Sequence, residues 1–125
     1  MKVENVLRVM ADETRLRCLM LLVHETELCV CEMEQTLNEP QPKISRHLAV
    51  LRKANMVQDR RDGHWIYYRL HPQLPVWAKK IVLGAASGVA GQEPFFSDQQ
   101  RLASRVQRAD RCNGDGESQA QQSCA

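Results

Sequence analysis

The stretch Leu28–Lys53, LCVCEMEQTLNEPQPKISRHLAVLRK, reads as two short consecutive helices. Cys29 stands where an N-cap belongs and Glu32 follows three residues later, a capping box with sulfur in place of oxygen. Val30, Met33 and Leu37 then recur on one face over about two turns. Asn38-Glu39-Pro40 breaks that helix. Gln41 and Pro42 suit the first turn of the next, where proline has no intrahelical hydrogen bond to lose. Ile44, Leu48 and Leu51 give the second helix, about 41–54, its core face. Lys43, Ser45, Arg46, His47 and Arg52 fall largely on its other sides. Two helices joined by a tight break, the second polar and cationic outside, read as helix-turn-helix.

On the N-terminal side, Val3, Val6, Leu7 and Met10 follow helical spacing. Asp12 suits the N-cap of a helix over about 13–24, with Leu16, Leu19, Met20 and Val23 as its stripe and Cys18 as a small core hydrophobe beside it. On the C-terminal side the period shortens to that of strands. Residues 56–60 and 65–70 flank Arg61-Asp62-Gly63-His64, and Asp-Gly between β-prone runs signals a hairpin. A hairpin does not stand alone in water, so it packs on the helices as a wing. A further helix begins near Pro72–Pro75 and carries Leu74, Trp77, Ile81 and Val82. Gly84, Gly88 and Gly91 weaken its end. Residues 97–108 hold a short amphipathic segment, and the Gly/Ser/Gln-rich end reads as disordered. The expected class is therefore mainly α with a small β-hairpin, a winged helix-turn-helix. Residues 1–92 form the domain and 93–125 a partly disordered extension.

At 125 residues one domain is the prior. Net charge is only +2, but residues 40–64 place six basic side chains against Asp59 and Asp62, the footprint of a nucleic-acid surface. No apolar run is long enough for a membrane span and no signal peptide opens the chain, so the reading is cytoplasmic, with no membrane partner. Five cysteines without a secretion signal favour buried or ligating thiols over disulfides. A thiol oxidoreductase would need Cys-x-x-Cys in a βαβ setting. That motif, a phosphate loop and a Ser/His/Asp grouping are all missing, so the protein reads as a non-enzyme.

The strings Ala11–Leu16, ADETRL, Glu27–Glu32, ELCVCE, and Gln41–Leu48, QPKISRHL, resemble the ArsR/SmtB family over roughly residues 3–83, and most of all its arsenic-responsive branch. The resemblance implies a homodimeric winged-helix repressor, joined through its N- and C-terminal helices, that leaves double-stranded operator DNA when trivalent arsenic or antimony binds. No cofactor is required; the inducer is arsenite or antimonite. The family pattern CVCxxC has Glu34 at its third position here, so Cys29 and Cys31 are the metalloid ligands, and Cys112 or Cys124 is the candidate third. The family's zinc ligand set is absent, because residues 73–91 hold no His, Asp or Glu. A thiol redox or cadmium/lead-responsive repressor on the same scaffold is the alternative.

Thiolates select soft ions, and a helix N-terminus is expected to lower the thiol pKa of Cys29 and Cys31 and favour thiolate. Residues i and i+2 diverge on a helix but share a side in extended chain, so the two thiols can converge with Cys29 in extended N-cap geometry. Ligation is expected to unwind the first turn. Lys43, Ser45, Arg46 and His47 lie in the first turns of the recognition helix, where base edges are met, with Gln41 just before them. Arg52, Lys53, Arg60 and Arg61 are the expected phosphate contacts.

Overall fold

The computed structural model describes residues 1–105. Helices α1 (Val3–Met10) and α2 (Glu13–His24) lead into a short strand β1 (Leu28–Cys29). Helices α3 (Val30–Leu37) and α4 (Gln41–Lys53) follow. Strands β2 (Val57–Asp62) and β3 (Trp65–Leu70) make the wing, and helices α5 (Val76–Val89) and α6 (Phe95–Ser104) close the fold. It is the winged helix-turn-helix expected, with one addition. β1 pairs antiparallel with β3, so the sheet has three strands in the order β1-β3-β2.

Local chemistry accounts for the element ends. Asp12 accepts the Arg15 N–H at 3.0 Å, capping α2. Asn38 ends α3 in the left-handed region, φ 55°, which asparagine tolerates better than most residues. The hairpin turn falls one residue later than the Asp-Gly signal suggested. Asp62 pairs with Trp65 inside the ladder, and Gly63 and His64 make the two-residue loop. Gly63 takes φ 64° there, which a side chain would resist.

α2 is the central beam. Residues 17–22 are all buried, because α4, α5 and α6 pack around it. Cys18 and Leu19 are fully buried there beside Met33, Ile44, Leu48 and Leu51 from the helix pair. α5 runs on through Gly84 and Gly88 to Val89. Buried Ala78 and Val82 hold it, and the propensity loss of about 1 kcal/mol per glycine is smaller than such packing provides. α6 begins at Phe95, ahead of the expected Ser97 start, and seats Phe95 and Leu102 in the same core.

A buried ion-pair cluster fastens α6. Arg17 on α2 donates to both Asp98 oxygens at 2.8 Å, to the Leu37 carbonyl at 2.8 Å and to Glu39 at 3.3 Å. Asp98 is 1% exposed. Arg101 adds bonds to Asp98 at 2.9 Å and to the Thr36 carbonyl at 2.6 Å. Removing one partner of such a pair strands the other charge. Asp98→Ala should lower the unfolding free energy by about 3 kcal/mol, read by urea titration; a loss under about 1 kcal/mol would mark the cluster as incidental.

Asp12 yields a second expectation. Its carboxyl is held below its ordinary 3.8, chiefly by the Arg15 N–H and less by the nearby His47 and Arg15 charges, against a burial effect of opposite sign. A depressed folded-state value means the stabilisation is present above 3.8 and lost as pH falls through the folded value. Asp12→Ala should therefore cost about 1 kcal/mol at neutral pH and flatten the acid limb of the stability profile, as thermal scans at pH 2–7 would reveal.

Candidate functional site

The site starts from one residue with two duties. Cys29 ends β1, with Tyr67 as its cross-strand partner, and is also the N-cap of α3. Its extended backbone, φ −84° and ψ 162°, serves both. The capping box is formed as expected. The Cys29 N–H donates to Glu32 Oε1 at 2.9 Å, while the Cys29 sulfur faces the Glu32 backbone N–H. Glu32 is 1% exposed.

The Cys29 and Cys31 sulfurs stand 2.8 Å apart. They converge with Cys29 extended and α3 helical from Val30 onward, as an extended N-cap allows. The extended Cys29 already turns its sulfur to the side from which the first helical turn presents Cys31. Both cysteines are buried with Tyr67, and Trp65 packs against them. The acidity expectation is corrected. Burial pushes the Cys29 thiol up to about 12, and the Glu32 carboxylate opposes ionisation further, so the backbone N–H groups at the helix start do not prevail. Cys18, buried in α2, is likewise pushed up to about 12 by burial.

Aromatic and charged side chains roof the pair. Arg60 lies over the Tyr67 ring, 4.5 Å from its centroid. It also donates to both Glu27 oxygens, at 3.0 and 2.6 Å. Arg60, expected at a phosphate, is thus engaged with the wall of the cysteine site. On the other side Arg105 donates to Glu25 at 2.9 Å, and its Nε lies 3.5 Å from Glu32 Oε2. Cys112 and Cys124 lie outside the described residues.

α3 packs directly on α4, which carries the polar candidates. Gln41 donates to Ser45 at 2.7 Å, and Lys43 donates to Glu39 at 2.9 Å. Arg46 is exposed, and Arg61 is exposed on β2. Arg52 sits 3.5 Å from Asp59. His47 turns inward: its Nδ1 is 3.8 Å from Asp12 and 3.4 Å from Arg15 Nη1. Burial, aided by the Arg15, Arg46 and Lys43 charges, holds the imidazole below its usual 6.5 against the pull of Asp12.

Sequence reasoning found the cysteine pair, Glu32 and the α4 residues. It missed β1, the Arg60–Tyr67–Glu27 roof, Arg105 and the Arg17–Asp98 cluster. The first had a faint signal, since Leu28 and Cys29 precede the capping box with no helical period of their own. The others join residues far apart in the chain and had none.

Residues 12–59 match the model of the bacterial regulatory protein, arsR family. The chain is 48% identical over 103 residues to the arsenic resistance transcriptional regulator ArsR1 of Pseudomonas putida, covering 82% of this chain and 79% of that one. It is 40% identical over 114 residues to the arsenical resistance operon repressor of Escherichia coli, covering 91% and 90%. Among solved structures, the transcriptional repressor BigR from Xylella fastidiosa superposes with a TM-score of 0.62 at 33% identity, covering 73% of this chain and 86% of that one.

The capping geometry makes Cys29→Ser a gentle change, because serine is a better N-cap than cysteine. Its stability should stay within about 1 kcal/mol of the parent, measured by urea unfolding; a larger loss would show that the sulfur packs more than it caps.

Proposed function

The chain belongs to the arsR family of bacterial regulatory proteins, and from that membership we propose that it is an arsenic-responsive transcriptional repressor. It acts in the cytoplasm as a homodimer on double-stranded operator DNA. Trivalent arsenic or antimony, captured by Cys29 and Cys31, releases it. The observation that carries the reading is the pair of sulfurs at 2.8 Å on the first turn of the helix that packs against α4.

The chemistry suits arsenous acid. Each As–S bond forms as one As–O bond breaks, and the thiol proton leaves with the hydroxide as water. A buried, protonated thiol is therefore a competent donor to this inducer. Geometry supplies the signal, because one ion held by both sulfurs couples the residue that ends β1 to the first turn of α3. Cys29 is held in the sheet by Tyr67 and Cys31 rides on α3. An ion bridging the pair thus acts between the wing and α3, and through α3 on α4. Release requires only that the ion favour the shape that fits DNA less well.

On the DNA side, Arg46 reads base edges from the exposed face of α4, with Gln41, Lys43 and Ser45 beside it. Arg52 and Arg61 take phosphates, and His47 steadies the start of α4 from its place beside Asp12. The apolar side chains Val3 and Leu7 on α1 and Val76 and Leu83 on α5 are exposed in the single chain. They supply the two-fold interface, and a symmetric dimer meets two half-sites.

Arsenite titrated into an operator-bound complex should release the protein. Cys29→Ser and Cys31→Ser should abolish that response while operator affinity holds within about threefold. Cadmium and peroxide serve as the comparison arms; release by either at lower concentration than arsenite would replace the arsenic reading with the alternative sensor. Arg46→Ala should cost about 1–3 kcal/mol of operator binding and relax selectivity, whereas Arg61→Ala should weaken all DNA alike and reduce the salt slope by about 1. Operator selectivity retained in Arg46→Ala, by gel-shift competition, would move base reading elsewhere.

A further inference from the structure

The exposed face of α4 does not end at Arg46. Arg46, Val50 and Lys53 recur at spacings of four and three, so they share one side of the helix, and all three are exposed. Val50 and Lys53 form one wall of a notch of about 390 Å³. Lys2, Asn5 and Arg8, at the start and along the flank of α1, form the other. No acidic side chain lines it.

The cations of this notch differ from those nearer the wing. Lys43, Arg52 and Arg60 face acids. Among the described residues, Lys2, Arg8 and Lys53 make no ion pair. Arg8 donates instead to the neutral Asn5 side chain at 2.8 Å. Like charges gathered without an acid repel one another, and an anion brought among them relieves that repulsion. α1 is docked on the core through Val6 and Met10, both buried, so its two cations stand on a fixed helix. At 3.6 residues per turn, Lys2, Asn5 and Arg8 centre on the side of α1 opposite Val3 and Leu7. A second copy seated on the Val3–Leu7 stripe therefore stands away from the notch.

The homeodomain shows what such a place can do: its reading helix meets base edges, and the C-terminal end of that helix contacts the backbone. Here Lys53 lies seven residues beyond Arg46, about 10 Å along the axis, or roughly three base-pair steps. We propose that Lys2, Arg8 and Lys53 seat a run of operator DNA phosphates beyond the bases read by Arg46. The inference rests on the DNA-binding part of the reading above and extends that surface to α1; arsenic does not enter it. Phosphates carry no sequence information, so the seat adds affinity and fixes how α4 lies in the groove without specifying bases.

The test uses the full chain and a duplex carrying the promoter upstream of its own coding sequence, with a scrambled duplex of equal length beside it. Fluorescence anisotropy gives the affinity for each across a range of salt. With Lys2→Gln, Arg8→Gln and Lys53→Gln combined, the slope of log K against log salt should fall by about 2.7 for each protomer bound, at about 0.9 per lost phosphate contact. Preference for the promoter over the scrambled duplex should not change. Lys53→Arg, which keeps the charge, should keep the parent slope. In ethylation interference, the phosphates at one edge of each half-site that block the parent should no longer block the triple variant. A parent slope in the triple variant, an ethylation pattern identical to the parent's, or a lost promoter preference overturns the proposal. Failure of the DNA-binding reading looks different: the parent itself would then show no measurable affinity for either duplex.

Discussion

Cys29 has to end a strand and begin a helix within one residue, and the geometry of the rest of the site follows from that constraint. Its extended backbone keeps Leu28 and Cys29 paired to Tyr68 and Tyr67 on β3, while its N–H is held by Glu32 from the first turn of α3. Because the junction has no slack, α3 leaves the sheet in one fixed direction. That direction fixes where α4 lies. Burying the Glu32 carboxylate is expensive unless its oxygens are satisfied; the Cys29 N–H and the Arg105 guanidinium provide that satisfaction. Charge and backbone geometry at the junction therefore support each other.

α3 is two turns long and would not persist alone. Its N-terminal end is held at Glu32 by Arg105. At its C-terminal end the Leu37 and Thr36 carbonyls accept from Arg17 and Arg101. A short helix pinned at both ends and packed to interior density shifts as a unit rather than bending. That is the property needed to carry a displacement at Cys31 to α4. The same cluster ties α6 to α3, so α6 is mechanically part of the helix pair and not an appendage.

Much of this was legible in the chain because the relevant signals are local. The capping box at Cys29 and Glu32, the Asp12 cap, the core faces of α3 and α4 and the hairpin all lie within a few residues of the features they specify. What escaped was non-local. Two residues of strand carry no period, and the partner of β1 lies 38 positions or more downstream. Arg17 and Asp98 are 81 residues apart. The acidity of Cys29 was misread for the same reason: a helix start is visible in sequence, whereas the burial that outweighs it depends on Tyr67 and Trp65 arriving from the wing.

Three of the basic side chains on α4 and the wing already face acids. Lys43 rests on Glu39, Arg60 on Glu27, and Arg52 faces Asp59. When such a cation moves to a phosphate, the acid it leaves behind recruits a small ion from solution, cancelling one of those shed by the polyanion. Complex formation is then an exchange of partners rather than a simple neutralisation. Binding to nucleic acid will then depend less steeply on ionic strength than a census of arginines and lysines implies.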